Sequence, residues 1–219
     1  MSRAEARDLA RRYPHVPISL IENGIALARF AGTTRSTRTD EEPLRVLVVA
    51  GDFERKGVPL AIRAVARTSR CRLRVVGDGD RAAMQVIAAD AGALDRIELV
   101  APRSDVEKEF ADADVVLSCS LYESFGLAVV EGAAAGCAVV CTDTGVGPEL
   151  VHDDGRGPGG FLVGLDELEI ARALEALDED RRLCAAMGAV AARRATRFSW
   201  DEMTAATLER YEALVRRGP

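Results

Sequence analysis

Apolar residues in this chain fall into short continuous runs, separated by longer stretches with helical spacing. Residues 44–50, broken only by Arg45, are such a run, the pattern of a strand buried on both faces of a parallel sheet; residues 73–76, 97–100, 115–118 and 138–141 read as further strands. Residues 159–163 read as a short last strand. Between the runs, residues 58–68, 81–91, 105–111 and 128–135 repeat apolar positions at helical spacing, and Gly136 closes the last of these. From about Asp166 the chain reads as helical to its end. Ser199 and Glu202 form a capping box that opens a helix reaching Val215. At the other end, residues 2–12 read as a short helix with Ser2 and Glu5 as its capping box, ended by Pro14 and Pro17. An apolar run at 18–21 follows, and Asn23-Gly24 turns the chain. Residues 31–43 show no periodicity and read as a loop. Strands alternating with helices of about ten residues predict an α/β fold: one doubly wound, mostly parallel sheet with a helical C-terminal extension. Ligands on such sheets lie beyond the carboxyl ends of the strands, so functional residues should follow strands directly.

Composition narrows the class. The 219 residues are 48% hydrophobic and 29% charged, as in one globular domain. Formal net charge is −6, the wrong sign for a nucleic-acid partner. Five cysteines without a C-x-x-C pair read as reduced core thiols of a cytoplasmic protein. His15 and His152 stand far apart without a ligand cluster, so no metal site is expected. The polar, arginine-rich start lacks the apolar stretch of a signal peptide. No window approaches the roughly 18 apolar residues of a membrane span.

One segment carries the sharpest chemistry. Glu123-Ser124-Phe125-Gly126-Leu127-Ala128-Val129-Val130-Glu131 follows the strand ending at Ser118. Gly126 permits close approach of backbone to a ligand. The amides of Phe125, Gly126 and Leu127 would be free at a helix N-terminus, an anion site suited to a diphosphate. Glu131 is the only charge in the helix AVVEGAAAG. A lone buried carboxylate needs a partner; a ribose diol would serve, and so would an internal Arg or amide, and the pattern leaves both open.

Together these residues resemble the signature of the retaining glycosyltransferases of GT-B fold, group 1. The core is E-x-F-G-x4-E in SLYESFGLAVVEGAAAGCAVVCTDTGVGPELV. Glu22-Asn23-Gly24-Ile25 with Phe30 resembles that family's interdomain linker. Gly51-Asp52-Phe53-Glu54-Arg55-Lys56-Gly57 resembles its first strand end and K-G turn, Val76-Gly77-Asp78-Gly79 its G-D-G turn, and Phe198-Ser199-Trp200 the start of its last helix. Five ordered matches cover about residues 18–215. The resemblance implies one Rossmann-like half of a GT-B enzyme, the half that binds the nucleoside-diphosphate sugar. By position it implies Glu123 beside the donor sugar hydroxyls, and Phe125, Gly126 and Leu127 holding sugar and phosphate. Glu131 would bind the ribose, and Arg55 and Lys56 would clamp the leaving diphosphate. It further implies Gly51, Ser124 and Arg103 as donor contacts, with Arg103 in the loop similar to the family's base-contacting loop. The resemblance also implies retention through a front-face mechanism, with fixed cations and amides taking the growing charge and no metal or other cofactor. An Arg-Lys pair alone would more often be a solvated surface; the motif context favours phosphate.

Several departures and rivals stand beside this. Asp52 replaces a usual Arg, and Glu22, Cys119 and Ala138 replace prolines. Gly145-Val146-Gly147-Pro148-Glu149 reads equally as a donor-side loop or as a plain helix start. Gly77-Asp78-Gly79-Asp80-Arg81-Ala82 with Glu98 fits a dinucleotide fingerprint, though Asp78 and Asp80 would repel a pyrophosphate. The parts divide as residual helix and linker over 1–30, loop over 31–43, donor domain over 44–198, and a helix over 199–219 that would pack on an absent N-terminal domain. With the acceptor half absent, three readings are open: a fragment of a longer chain, one subunit of a split enzyme that needs an acceptor-binding partner, or a non-catalytic nucleotide-sugar-binding protein. The chain alone is expected to be inactive, and membrane contact is expected only peripherally, through the absent half.

Overall fold

The computed structural model describes residues 1–31, 39 and 41–217. Six strands, β1 (Arg45–Ala50), β2 (Arg72–Gly77), β3 (Ile97–Val100), β4 (Val115–Ser118), β5 (Ala138–Cys141) and β6 (Gly160–Leu162), form one sheet. Its order is β3-β2-β1-β4-β5-β6, and every pairing is parallel. Helices α1 (Arg3–Arg12) and α2 (Leu27–Ala31) precede the sheet. Helices α3 (Val58–Ala66), α4 (Arg81–Asp90), α5 (Val106–Ala111), α6 (Leu127–Ala134) and α7 (Gly147–Val151) connect its strands, and α8 (Glu167–Glu179), α9 (Arg181–Ala195) and α10 (Trp200–Arg217) follow it.

The alternation of side chains along each strand sorts the core into two layers. Val46, Val48 and Ala50 of β1, Val115 and Leu117 of β4, and Ala138 and Val140 of β5 join one buried cluster with α3, α4 and α8. Leu47, Val116, Val139 and Cys141 point the other way, into a cluster with α5, α6, α7 and the end of α9. Both faces of the central strands are therefore apolar, which explains their unbroken hydrophobic runs.

The chain runs β1, β2, β3 toward one edge, then returns to lay β4 on the other side of β1. Neighbouring connections diverge there, which opens a crevice at the carboxyl ends of β1 and β4. Gly57 sets how closely the two loops approach. It caps α3 in the left-handed region at φ 67°, and a Cβ there would lie 2.1 Å from the Cys119 carbonyl oxygen.

Element boundaries follow the sequence closely, with physical reasons where they differ. Helix α3 ends at Ala66 because the Arg67 and Thr68 amides turn back to Ala64 and Val65, with the Thr68 hydroxyl on the Val65 carbonyl. Helix α2 has five residues and was not expected. The expected loop at 31–43 lies largely outside the described residues. The Ser2 capping box forms one arm only: Ser2 Oγ accepts from Glu5 N at 3.2 Å, while the Ser2 amide donates to the Ser124 carbonyl at 3.0 Å. Helix α10 has the expected cap, Glu202 N to Ser199 Oγ at 3.0 Å, and Leu208, Tyr211, Leu214 and Val215 stand exposed along it.

Candidate functional site

The β1 and β4 loops bring Lys56 and Glu123 together. Lys56 Nζ bonds Glu123 Oε1 directly, with side chains 18% and 10% exposed. Ser120 Oγ donates to the same oxygen at 2.7 Å. The Thr142 hydroxyl, at the end of β5, donates to the Ser120 carbonyl at 2.7 Å. Ser118, Ser120, Lys56, Glu123 and Gly126 line a small cavity between the strand ends. A charged pair this enclosed holds only with its remaining polar sites satisfied, and Ser120 supplies that. Ser120 and Thr142 were not singled out in the sequence; their signal was their place just after β4 and β5.

Arg55 flanks the pair and stays about half exposed. Its Nη1 donates to the Tyr122 carbonyl at 3.3 Å, and its own carbonyl accepts from Leu121 N at 3.1 Å. The K-G turn and the E-S-F-G loop are thus tied at several points. Gly51 opens the turn, and a Cβ there would meet nothing within 4 Å. That is free space at the tip of β1.

The E-S-F-G loop has its carbonyls turned inward. Ser124 O accepts from Ser2 N at 3.0 Å, Phe125 O from Val146 N at 2.7 Å, and Gly126 O from Val129 N at 3.1 Å. The amides of Phe125, Gly126 and Leu127 make no hydrogen bond among the described residues. Gly126 makes this possible: it adopts φ 94° as the N-cap of α6 and offers no side chain to cap the helix. Unfilled amides at the positive end of a helix form a receptor for anionic oxygen.

Glu131 lies one turn into α6, half-buried. Burial pushes its carboxyl above the ordinary range, partly opposed by the positive charge of Arg29. Arg29 itself is engaged elsewhere, by Glu107 at 2.6 Å and the Ser104 carbonyl. The Glu131 carboxylate has no hydrogen bond or ion pair among the described residues; the internal Arg or amide partner left open by the sequence is not found there.

Arg103 sits beyond β3, two strands away from β1. Asp105 holds it through two bonds of 2.9 and 3.1 Å, and Glu109 lies at 3.2 Å. Its charge is already compensated, unlike the loop amides. Glu149 starts α7 and pairs with Arg197 and, at 3.4 Å, Arg3. The helix-start reading of that segment therefore describes what is seen. The dinucleotide-type turn is closed by its own chain: Asp80 accepts from Ala83 N at 3.0 Å and caps α4 with a negative charge, and a Cβ at Gly77 would lie 1.7 Å from the Ala50 carbonyl. A larger cavity of about 720 Å³ lies at the opposite, amino ends of β1 to β3. Arg45 and Arg74 there already pair with Asp112, Glu98 and Glu109.

Known proteins resemble this chain in sequence and in fold. The family model for group 1 glycosyl transferases matches residues 44–180. The chain belongs to this family. The D-inositol 3-phosphate glycosyltransferase of Corynebacterium kroppenstedtii is 35% identical over 85% of this chain and 45% of its own length. Among solved structures, a glycosyltransferase from Rickettsia africae superposes with a TM-score of 0.85 at 20% identity, over 98% of this chain and 62% of its own. The HepE protein of Anabaena, solved with UDP and glucose, superposes with a TM-score of 0.74 at 21% identity, over 90% of this chain and 56% of its own. These neighbours are GT-B glycosyltransferases and share the fold of this group 1 member. The chain spans about half the length of the curated relatives it matches. No helix among the described residues is long and apolar enough to cross a membrane.

Proposed function

We propose that this group 1 glycosyltransferase chain is the donor half of a retaining enzyme, binding a nucleoside-diphosphate sugar for transfer to an acceptor hydroxyl. One observation carries the reading: the paired Lys56 and Glu123 sit beside three open amides at the crevice where the sheet changes direction. The neighbouring HepE structure was solved with UDP and glucose, which supports a donor of that kind here.

The chemistry follows from charge. As the sugar–phosphate bond breaks, negative charge grows on the leaving diphosphate, and fixed cations and dipoles must receive it. Lys56, Arg55 and the amides of Phe125, Gly126 and Leu127 fill that role. Glu123 faces the sugar hydroxyls as an acceptor, not as an attacking group. Glu131, lacking a protein partner among the described residues, accepts from the ribose diol. Gly51 leaves room for the phosphates, Ser124 lines the entrance, and Arg103 flanks the base if it leaves Asp105. The leaving phosphate takes the proton of the incoming hydroxyl on the same face, which retains the anomeric configuration. No resident metal or cofactor enters this scheme. The buried thiols, none in a disulfide among the described residues, fit a cytoplasmic setting.

Because the chain covers about half of its relatives, a second reading has its own support: a nucleotide-sugar-binding subunit that transfers only with an acceptor-binding partner, or not at all. Calorimetry against UDP, GDP, ADP and NAD tests the first step. Binding of one nucleoside diphosphate with NAD inert is expected; binding of NAD alone would overturn the assignment. Transfer by a mixture with a candidate acceptor half, absent for the chain alone, marks a split enzyme. Donor binding without turnover in any pairing marks the binding subunit.

A further inference from the structure

Two adjacent residues far from the motif hold its loop in place. Phe198, which directly precedes the cap of α10, is 1% exposed. Its ring meets Phe125 edge-to-face, with centroids 5.6 Å apart at 83°. Its carbonyl accepts from Ile25 N at 2.8 Å, so the same residue is fixed to the segment leading into α2. Arg197 stacks over the Phe198 ring at 4.4 Å. The Arg197 guanidinium also bonds Glu149 and, at 3.3 Å, Glu22. Four pieces of chain therefore converge on residues 197 and 198: the linker, the E-S-F-G loop, the start of α7 and the head of α10.

We infer that Arg197-Phe198 is the positioning element of the donor loop, with the Phe198 ring fixing Phe125 so that the amides of residues 125–127 face outward before any ligand arrives. This rests on the proposed donor role of that loop. The physical argument is preorganisation. Phe125 contributes both an amide to the open set and a ring to the core, so fixing the ring fixes the peptide. Without the edge contact, the loop must be ordered at the moment of binding, and that conformational cost comes out of the affinity. The connection reaches further: the Phe198 carbonyl and the Arg197–Glu22 pair join the loop to the linker, so a displacement of the linker moves the floor under Phe125.

The test uses calorimetry and amide hydrogen exchange on the full chain carrying Phe198→Leu, Phe125→Leu or both. The wild type is measured first with UDP, GDP and ADP. Phe198→Leu is expected to weaken the nucleotide that binds by about fivefold, the scale of one aromatic edge contact. Exchange should accelerate at Val146 and Val129, whose amides bond the Phe125 and Gly126 carbonyls, and stay unchanged in β4 and β5. The double variant should be little worse than either single one, because both remove the same contact. Arg197→Gln should show the same pattern in weaker form. Unchanged affinity in Phe198→Leu, or exchange accelerated equally across β4 and β5, would overturn the inference, the latter marking Phe198 as a plain core residue. If wild type binds no nucleoside diphosphate, the proposed function falls, and exchange at Val146 and Val129 still decides whether Phe198 positions the loop. Should Phe198→Leu fail to fold, Phe198→Met, which also lacks the ring, answers in its place.

Discussion

The pairing of Lys56 with Glu123 makes an opposed pair of predictions. In the free protein Lys56 is already satisfied: its ammonium bonds a carboxylate that is 10% exposed, and Ser120 bonds the same oxygen. A diphosphate can use Lys56 only by sharing it with Glu123 or taking it away. At an effective dielectric near 20, a unit pair about 4 Å apart is worth about 4 kcal/mol. Binding therefore exchanges one interaction of that size for another, and only the difference reaches the affinity. A difference of about 1.4 kcal/mol is about tenfold in Kd. Lys56→Ala loses that gain and leaves the Glu123 carboxylate facing the incoming phosphates, so UDP should bind at least about tenfold more weakly. Glu123→Gln frees Lys56 without removing it. UDP should then bind as tightly as to wild type or up to about tenfold tighter, while the extra affinity contributed by the sugar of the nucleotide sugar is lost. Calorimetry with UDP and with the matching nucleotide sugar on both variants reads all four numbers. If Glu123→Gln weakens UDP as much as Lys56→Ala does, the two residues act as one structural unit and the exchange of partners is wrong.

Other outcomes separate binding from stability. Gly51→Ala adds a methyl group into empty space, so urea unfolding should shift by less than about 0.5 kcal/mol, while nucleotide affinity falls; an unchanged affinity would mean that no phosphate passes there. Glu131 has its carboxyl pushed up by burial, so its charged form costs folding free energy. The folded state holds this proton more tightly than the unfolded state, and stability therefore declines as pH rises from below the ordinary carboxylate value. Glu131→Gln should accordingly raise Tm relative to wild type at neutral pH, with a gap that shrinks in acid, yet bind nucleotide at least about tenfold more weakly; thermal scans from pH 4 to 8 would contradict this if the gap were constant. Burial pushes the Cys119 and Cys141 thiols up to about 12 and the Cys71 thiol to about 11. These three should resist an aromatic disulfide reagent at pH 8 in the folded protein and react after denaturation.

The parts of this molecule that were legible in its sequence are those set by local periodicity. Strands β3, β4 and β5 fall on the residues marked in the sequence; β4 and β5 do so because their apolar runs are buried on both faces, and edge strand β3 because its short run is bounded by turns. The motif loop was legible because a glycine before a helix of small residues has few other uses. What escaped depends on contacts between distant segments. The five residues of α2 are too few to show a period. The second arm of the Ser2 cap was predicted to turn back on Glu5; its amide goes instead to Ser124, 122 positions away, which no local pattern encodes. Arg103 looked available in the sequence, yet Glu109 on α5 comes round to meet it with Asp105. Phe198 was read as the opening of a helix, and its second role, under Phe125, exists only once the chain has folded.

The same contrast bears on how the site can wait without a ligand. An unoccupied pocket with several cations would repel itself, and one with several carboxylates would repel the donor. Here each cation has a partner: Lys56 has Glu123, Arg55 lies 3.7 Å from Asp52, and Arg103 has Asp105. The groups left open are the loop amides, which carry no net charge and cost little to leave facing water, and Glu131, whose burial favours its neutral form. In the proposed scheme a diphosphate arriving at the crevice meets these amides first and then competes for Lys56. The Glu123 carboxylate it displaces turns toward the sugar hydroxyls, its other proposed partner. On this account a bare nucleotide must strand Glu123, whereas a nucleotide sugar satisfies it. In that scheme the crevice would discriminate in favour of the sugar-bearing donor through the cost of an unpaired carboxylate, which exceeds the gain from one more hydrogen bond to the sugar.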